Sequence, residues 1–397
     1  MLFLGCLFRK SDEDIILKLS KMGLSNASNT FQWNLINGLE KITNIKIINV
    51  LPVGTYPNQY KQLFLKSKSW THGKNFKNIE IGSINLPFLK QWSRARKIKK
   101  EIVKSIDTGQ REDIIIYSTY LPFLKAIYSL DKNINIILIV TDLPEFYDLG
   151  NTSIIKKVLR KINNYYIYKY MERVDSFILL TEKMKEPLKV GKRPYHVMEG
   201  IANEKSTGLE YGVMDSGKKI ILYTGTLHYQ FGIGMLLQAF RLIEDNSYEL
   251  WLCGAGDAEE EIKQLAELDK RVKFWGYLTK ADIDKVQQQA TVLINPRPNE
   301  GEYTKYSFPS KTMEYLMSGK PVIMYKLDGI PQEYNQYIHY IAENNPEKIA
   351  EKIKAVCEDS EENRVQFGER ARRFILENKN SDIQAQKIME FICTGNV

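Results

Sequence analysis

The stretch from Asn295 to Met324, NPRPNEGEYTKYSFPSKTMEYLMSGKPVIM, limits the possible folds more than any other part of the chain. The β-branched run TVLIN at its start predicts a buried strand. SKTMEYLMSG predicts a helix that stops at Gly319, and KPVIM predicts another short apolar strand. Strand, loop, helix and strand within about thirty residues form a βαβ unit, which implies a parallel sheet. The loop brings Ser307, Pro309, Ser310 and Lys311 to the helix start, where Pro suits the first turn and Ser can cap it. Amides, a hydroxyl and an ammonium then converge where the helix dipole favours an anion. Glu314 lies one turn further in. Its carboxylate would repel a phosphate but can accept two hydrogen bonds from a sugar diol. Phosphate beside ribose is a nucleotide. The plainer reading is a capped surface helix with a solvated Lys and Glu.

The 397 residues suit two domains better than one, and 43% apolar with 26% charged content is ordinary for a soluble globular chain. Cys6, Cys253, Cys357 and Cys393 are scattered, with no CxxC pair and no clustered His. That pattern argues against a disulfide framework and a zinc site, and it fits a reducing cytosol. No apolar run reaches the roughly 18 residues of a spanning helix. MLFLGCLF lacks the basic region that precedes a signal-peptide core, so it predicts a first strand.

Charge is uneven along the chain. Residues 1–190 hold 30 Lys and Arg against 17 Asp and Glu, a balance of +13, while the remainder is −5. The cations cluster in LKQWSRARKIKKEIVK (89–104) and IIKKVLRKINNYYIYKYMERV (154–174), with aromatics among them. Such helices suit an anionic membrane face. A basic surface also permits nucleic acid, though nothing else in the chain asks for it. The alternative is two solvated helix faces.

The first half alternates strands and helices. After the first strand comes a small, polar loop, KMGLSNASN. In it Gly23, Ser25, Asn26, Ala27 and Ser28 would let backbone amides approach a ligand. TFQWNLINGLEKI predicts a helix and IKIINVLPV a strand. EDIIIYSTY and INIILIVTDLPEFYD predict buried strands, the second leading to Asp142 and Glu145. In open α/β sheets ligands sit beyond the carboxyl ends of strands, so both acids are candidates for holding hydroxyls or acting as a base. The alternative is an N-cap with the start of a helix. The polar stretch 202–218 lacks an apolar period and marks a linker between domains at 1–201 and 219–380. The final segment, 381–397, is helical and is expected to pack back on the first domain.

The pattern restarts with KIILYTGTL, IGMLLQAFRLIE, YELWLCGAG, AEEEIKQLAEL, VKFWGYL and KADIDKVQQQA, and the organising stretch follows. Gly225 with Thr226, Gly254 with Gly256, and Gly276 with Tyr277 form three strand-end turns. With Arg297, Ser310, Lys311 and Glu314 they could enclose a nucleotide diphosphate. Gly276 and Tyr277 would lie near a base, and Arg297 would take the diphosphate bidentately. Two Rossmann-like halves facing a cleft would place the ligand between them.

The order YTGTLHYQFGIGMLLQAF, LWLCGAG, VKFWGYL, NPRP and FPSKTMEYLMSGKPVI resembles the C-terminal half of retaining GT-B glycosyltransferases. It is most similar to family 4 enzymes of bacterial surface-polysaccharide assembly. The resemblance covers residues 219–324 well. It extends loosely to the first strand–loop–helix and to TDLPEF. It implies two Rossmann-like domains and transfer from a UDP-sugar or related donor to a lipid-linked saccharide, with retention and no required metal or other cofactor. Glu314 matches the residue that holds the ribose. Lys311 and the amides of Pro309 to Thr312 match the diphosphate cradle, and Gly225 and Thr226 match the turn against the phosphates. The front-side mechanism it implies needs no protein nucleophile, and Asp142 would orient acceptor or sugar. The enzyme would be cytoplasmic and peripheral to the inner face of the membrane.

This chain departs from the family at three positions. Tyr306 stands where many members carry a Glu, for which Glu300 or Glu302 is a substitute. Thr226 and Phe231 stand where many carry Arg and Lys, leaving Arg297 and Lys311 to supply positive charge. The alternatives are a non-catalytic partner of another transferase and a nucleotide-sugar epimerase.

Overall fold

A computed structural model describes residues 1–21, 26–73, 76–106, 112–130, 133–146, 153–202 and 217–395. The chain divides into two compact units, Met1–Ile201 with Ser381–Val397, and Ala202–Asn380. Ser25 and residues 203–216 of the expected linker lie outside the described residues.

The first unit contains β1 (Leu2–Gly5), β2 (Lys46–Asn49), β3 (Phe64–Leu65), β4 (Lys68–His72), β5 (Phe76–Glu80), β6 (Ser83–Ile84), β7 (Glu112–Tyr117), β8 (Ile134–Val140), β9 (Ser176–Leu179) and β10 (Tyr195–Val197). Eight of these form one sheet in the order β10-β9-β8-β7-β1-β2-β5-β4, and β3 pairs with β6 apart from it. Only β4 runs antiparallel within the eight-stranded sheet, where it lies against β5 at the edge. The runs Ile114–Ile116 and Ile136–Val140 are buried on both faces, which is what the interior of a doubly covered parallel sheet requires. The terminal helix Ser381–Thr394 lies on the helix Asn26–Ile42. A Cβ on Gly38 would fall 2.2 Å from the Ser381 carbonyl oxygen, so only Gly permits this approach. Lys41 pairs with Asp382 at 2.6 Å, and Gln384 donates to the Gly200 carbonyl at 3.0 Å.

The second unit contains β11 (Lys219–Thr224), β12 (Tyr248–Cys253), β13 (Val272–Gly276), β14 (Val292–Asn295), β15 (Val322–Tyr325) and β16 (His339–Ile341). Its order is β13-β12-β11-β14-β15-β16, and all pairings are parallel. The chain winds outward from β11 on one side, then returns to wind outward on the other. This is a doubly wound Rossmann order. The first sheet follows the same course about β1, with β2 and β5 on one side and β7 to β10 on the other.

Two local expectations change. Asn26, Ala27 and Ser28 are not loop residues, because they form the first turn of the helix Asn26–Ile42. The Ser28 carbonyl accepts from Gln32 at 3.1 Å, a contact that ties this first turn to the next. KIILYTGTL ends as a strand at Thr224 because Gly225 turns the chain with φ 156°.

Candidate functional site

In the second sheet the strand order reverses between β11 and β14, and open α/β sheets bind ligands beyond the carboxyl ends of strands at such a point. The two strands pair at Ile221 with Val292 and at Leu222 with Leu293, then part before their ends. Tyr315 fills that gap from the helix Ser310–Met317. It is fully buried, and its hydroxyl accepts from the Thr224 amide at 2.8 Å and donates to the Thr224 carbonyl at 3.1 Å. Burial holds its pKa far above the usual phenol value, so the hydroxyl remains a donor. One side chain thus seats the helix start against the end of β11.

Lys311 and Glu314 lie on the exposed side of the same helix, three residues apart and therefore neighbours. The Lys311 ammonium donates to Glu314 Oε2 at 2.8 Å and to Thr224 Oγ1 at 3.4 Å. Lys280, at the start of the helix Lys280–Gln289, approaches Glu314 Oε1 at 3.1 Å, and Gln287 Nε2 approaches the same oxygen at 3.4 Å. Burial alone would raise the Glu314 pKa. The charges of Lys311 and Lys280 outweigh it and hold the carboxyl below its ordinary range. Sequence reading did not find Lys280, which sits 34 residues from Glu314 in the chain. Its only local sign is the Thr279 cap ahead of it.

The helix start differs from expectation. Pro309 occupies the N-cap position and no side chain caps the helix. Ser307 instead accepts a hydrogen bond from Arg297 Nη2 at 2.9 Å. The Thr312 amide donates to the Pro309 carbonyl at 2.9 Å, its side chain is buried, and Pro309 has no amide hydrogen. An anion cradle here therefore reduces to the amides of Ser310 and Lys311.

Arg297 is half-buried beside this helix start. Its guanidinium lies 4.9 Å from the Tyr303 ring centre and 5.9 Å from that of Phe231. Burial lowers its pKa from the usual value, and arginine remains a cation even so. Its buried Nε has no hydrogen-bond partner. Position 231, an aromatic in this chain, thus has a cation laid over it from position 297. Glu300 is engaged by the Asn344 amide, and Tyr306 sits in a 3₁₀ turn beside Glu302.

The glycine turns act first on one another. The Gly225 amide donates to the Cys253 carbonyl at 2.9 Å, and the Gly254 amide to the Gly276 carbonyl at 2.7 Å. A Cβ on Gly254 would fall 1.7 Å from the Gly225 carbonyl oxygen. Gly254 is thus required by close backbone packing, and the three turns form one stacked platform. Thr226 is exposed on it, with its carbonyl accepting from the Tyr223 hydroxyl at 2.9 Å. Tyr277 at its outer edge is 80% exposed.

The remaining candidates belong to the first unit. Ser28 Oγ lies 3.0 Å from the Tyr117 hydroxyl, at the end of β7. Ser118 follows with φ 68°, a strained conformation for a residue with a side chain. Asp142 is exposed after β8. Desolvation by surrounding protein raises its pKa, and a hydrogen bond from Thr141 opposes that rise. Glu145 accepts from the Tyr168 hydroxyl at 2.8 Å, so it is tied to the helix Ile154–Met171. Lys90 and Arg94, within a helix read from sequence as a basic surface, are buried. The signal was present, since Lys90, Arg94, Ile98 and Ile102 recur at the four-residue spacing of one helix face. Among the described residues no group of three or more His, Cys, Asp or Glu side chains is placed to hold a metal ion.

Residues 218–359 match the family described as Glycosyl transferases group 1. The matched segment lies within the second unit. No curated protein matches the chain by sequence. Among solved structures, the chain is similar to sucrose-phosphate synthase from Thermosynechococcus elongatus, with 14% identity, all of both chains covered and a TM-score of 0.66. It is similar to a trehalose-6-phosphate protein from E. coli bound with UDP-2-fluoro glucose, at 9% identity, 99% of each chain and a TM-score of 0.67. It is also similar to Anabaena HepE in complex with UDP and glucose, at 14% identity, 99% of each chain and a TM-score of 0.61. The fold of the whole chain is GT-B, built from two Rossmann-like units. The Lys311–Glu314–Lys280 cluster lies inside the matched glycosyl transferase segment, at the reversal point of its sheet.

Proposed function

We propose that this protein transfers a sugar from a nucleotide-diphosphate donor, a UDP-sugar first among them, to a lipid-linked saccharide. On this reading it works with retention of configuration, in assembly of a capsule, exopolysaccharide or O-antigen, peripheral to the inner face of the membrane. The observation that carries the reading is the Glu314 carboxylate held between Lys311 and Lys280 at the strand-order reversal of a group 1 domain. Support for the donor class comes from similar structures solved with UDP or a UDP-sugar bound.

On this reading Glu314 accepts from the ribose diol. Lys311 then turns from the carboxylate to the diphosphate, beside the Ser310 and Lys311 amides. Arg297 adds charge from its place over Phe231, and the Gly225–Thr226 turn approaches the phosphates. Gly276 and Tyr277 offer backbone groups to the base. Fixed cations and dipoles stabilise the leaving diphosphate while the acceptor hydroxyl attacks from the same face, so no protein nucleophile or resident metal is invoked. Asp142 is assigned to orienting a hydroxyl of acceptor or sugar.

The test is a thermal-shift panel with UDP, GDP, ADP and CMP on wild type and Glu314→Ala. A ligand that binds only the folded state raises the melting temperature by mass action. A shift with one diphosphate, lost in the variant, is expected. Absence of any shift would favour a non-catalytic partner subunit, the reading that Thr226 and Phe231 support. Change of the donor with no acceptor present would favour an epimerase.

A further inference from the structure

The helix Ile154–Met171 is inverted relative to an ordinary surface helix. Ile154, Ile155, Val158, Leu159, Ile162 and Tyr165 recur at the spacing of one helix face. That face points away from the protein. Ile154 is 80% exposed and Ile155 72%, and the other four are exposed as well. Only Ile167 and Met171 of the whole helix are buried. The helix carries Lys156, Lys157, Arg160, Lys161 and Lys169 and no carboxylate.

Its neighbours continue the surface. The helix Leu121–Tyr128 lies between it and the helix Leu89–Ser105. Tyr128 meets Tyr170 with ring centres 4.9 Å apart, and Lys99 donates to Ser129 at 2.7 Å. On the Leu89–Ser105 helix Trp92 and Val103 are exposed, and the Arg96 guanidinium lies 5.6 Å from the Trp92 ring centre. An apolar stripe flanked by cations, on a layer where residues 1–190 hold a balance of +13, complements an apolar phase under an anionic surface. Among the described residues no helix is long and apolar enough to cross a membrane, so contact by this helix would lie in the interface plane.

We infer that the outward stripe of Ile154–Met171 inserts into the headgroup boundary of an anionic phospholipid bilayer, with the flanking lysines on the lipid phosphates. The inference deepens the membrane part of the function proposed above by naming the surface that makes contact.

The experiment is co-sedimentation of the full chain with vesicles of phosphatidylcholine alone or with added phosphatidylglycerol, needing neither donor nor acceptor. Binding to the anionic vesicles is expected. It should fall roughly tenfold or more in Ile155→Asp/Leu159→Asp, and roughly tenfold in Lys157→Glu/Lys161→Glu. These positions are exposed, so both variants should keep the wild-type circular dichroism and nucleotide-induced thermal shift. Binding unchanged in both variants overturns the inference, as does equal binding to neutral vesicles. A wild-type dimer that becomes monomeric in Ile155→Asp/Leu159→Asp without any vesicle binding also overturns it, and assigns the stripe to a second copy. A chain that binds vesicles but no nucleotide would keep the docking surface and lose the transferase reading.

Discussion

At the reversal point of the second sheet, two lysines meet a carboxylate that is partly open to solvent. In the first unit, whose sheet reverses between β1 and β7, two cations are instead buried and meet no carboxylate among their hydrogen-bond partners. Lys90 is 8% exposed and donates to the carbonyls of Val53 and Gly54, the latter at 3.2 Å. Arg94 is 2% exposed and donates to the Leu51 carbonyl at 2.9 Å and the Tyr120 hydroxyl at 2.8 Å. The same winding thus carries two kinds of charge. An accessible ion pair can trade its partner for a ligand with little desolvation. A buried cation held on backbone carbonyls has already lost its water, and it serves to hold the segment after β2 in place. On the function proposed above, ligand exchange therefore falls to the Lys311–Glu314 pair and not to Lys90 and Arg94.

The strongest test of that contrast is substitution on each side. Glu314→Ala or Lys311→Ala should weaken UDP binding by about 1.5–3 kcal/mol, the range for a hydrogen bond to a charged group, as read by titration calorimetry. Lys90→Met should leave UDP affinity unchanged. Loss of UDP binding in Lys90→Met, with the fold intact, would break the comparison.

Tyr315→Phe comes next. It leaves the buried Thr224 amide and carbonyl without the hydroxyl and should destabilise the second unit by about 1–3 kcal/mol in urea unfolding. Part of the UDP affinity should go with it, since Thr224 also faces Lys311.

The two sites should also respond to pH in separate windows, stability rising with pH in each. Desolvation, and then the neighbouring Arg94, lower the Lys90 pKa from 10.5 to about 7. Between those values the unfolded chain binds the additional proton, so stability rises with pH across the window and the penalty is fully present below it. Lys90→Met should flatten that alkaline rise in thermal melts. Glu314 has a lowered pKa, so its contribution is present above its ordinary value of 4.5 and is lost as pH falls below it. Glu314→Gln should flatten the acid limb and leave the rise between about 7 and 10.5 alone.

The smallest effects concern the two missing cations. Thr226→Arg adds an exposed charge at the Gly225–Thr226 turn and, on the proposed function, should tighten UDP by up to about 1 kcal/mol. Phe231→Lys should weaken it, because the change removes the ring that Arg297 now covers and sets an ammonium beside its guanidinium. Tightening in both variants would mean that Arg297 does not stand in for position 231.

Much of this was legible in the chain. The isoleucine-rich runs had to be interior parallel strands, and Lys311 and Glu314 had to share a helix face because they are three residues apart. The order of glycine turns and the FPSKTMEYLMSG segment resembled a glycosyltransferase half, and residues 218–359 match a glycosyl transferase family. Lys280 was not legible, since it reaches Glu314 only after the chain has crossed from β13 to the helix that leads to β14. Nor was the Tyr315 hydroxyl, whose partner exists only because β11 and β14 part. Gly254 looked like a ligand turn, yet a neighbouring turn 1.7 Å from its missing Cβ already requires it.

The helix Ile154–Met171 marks the same division. Its sequence determined that it is amphipathic and basic, because side-chain order along a helix assigns each residue to a face. Which face meets the protein was decided by the tertiary structure alone. Burial depends on what the neighbouring helix and sheet present, and here they cover Ile167 and Met171 and leave the apolar stripe outside.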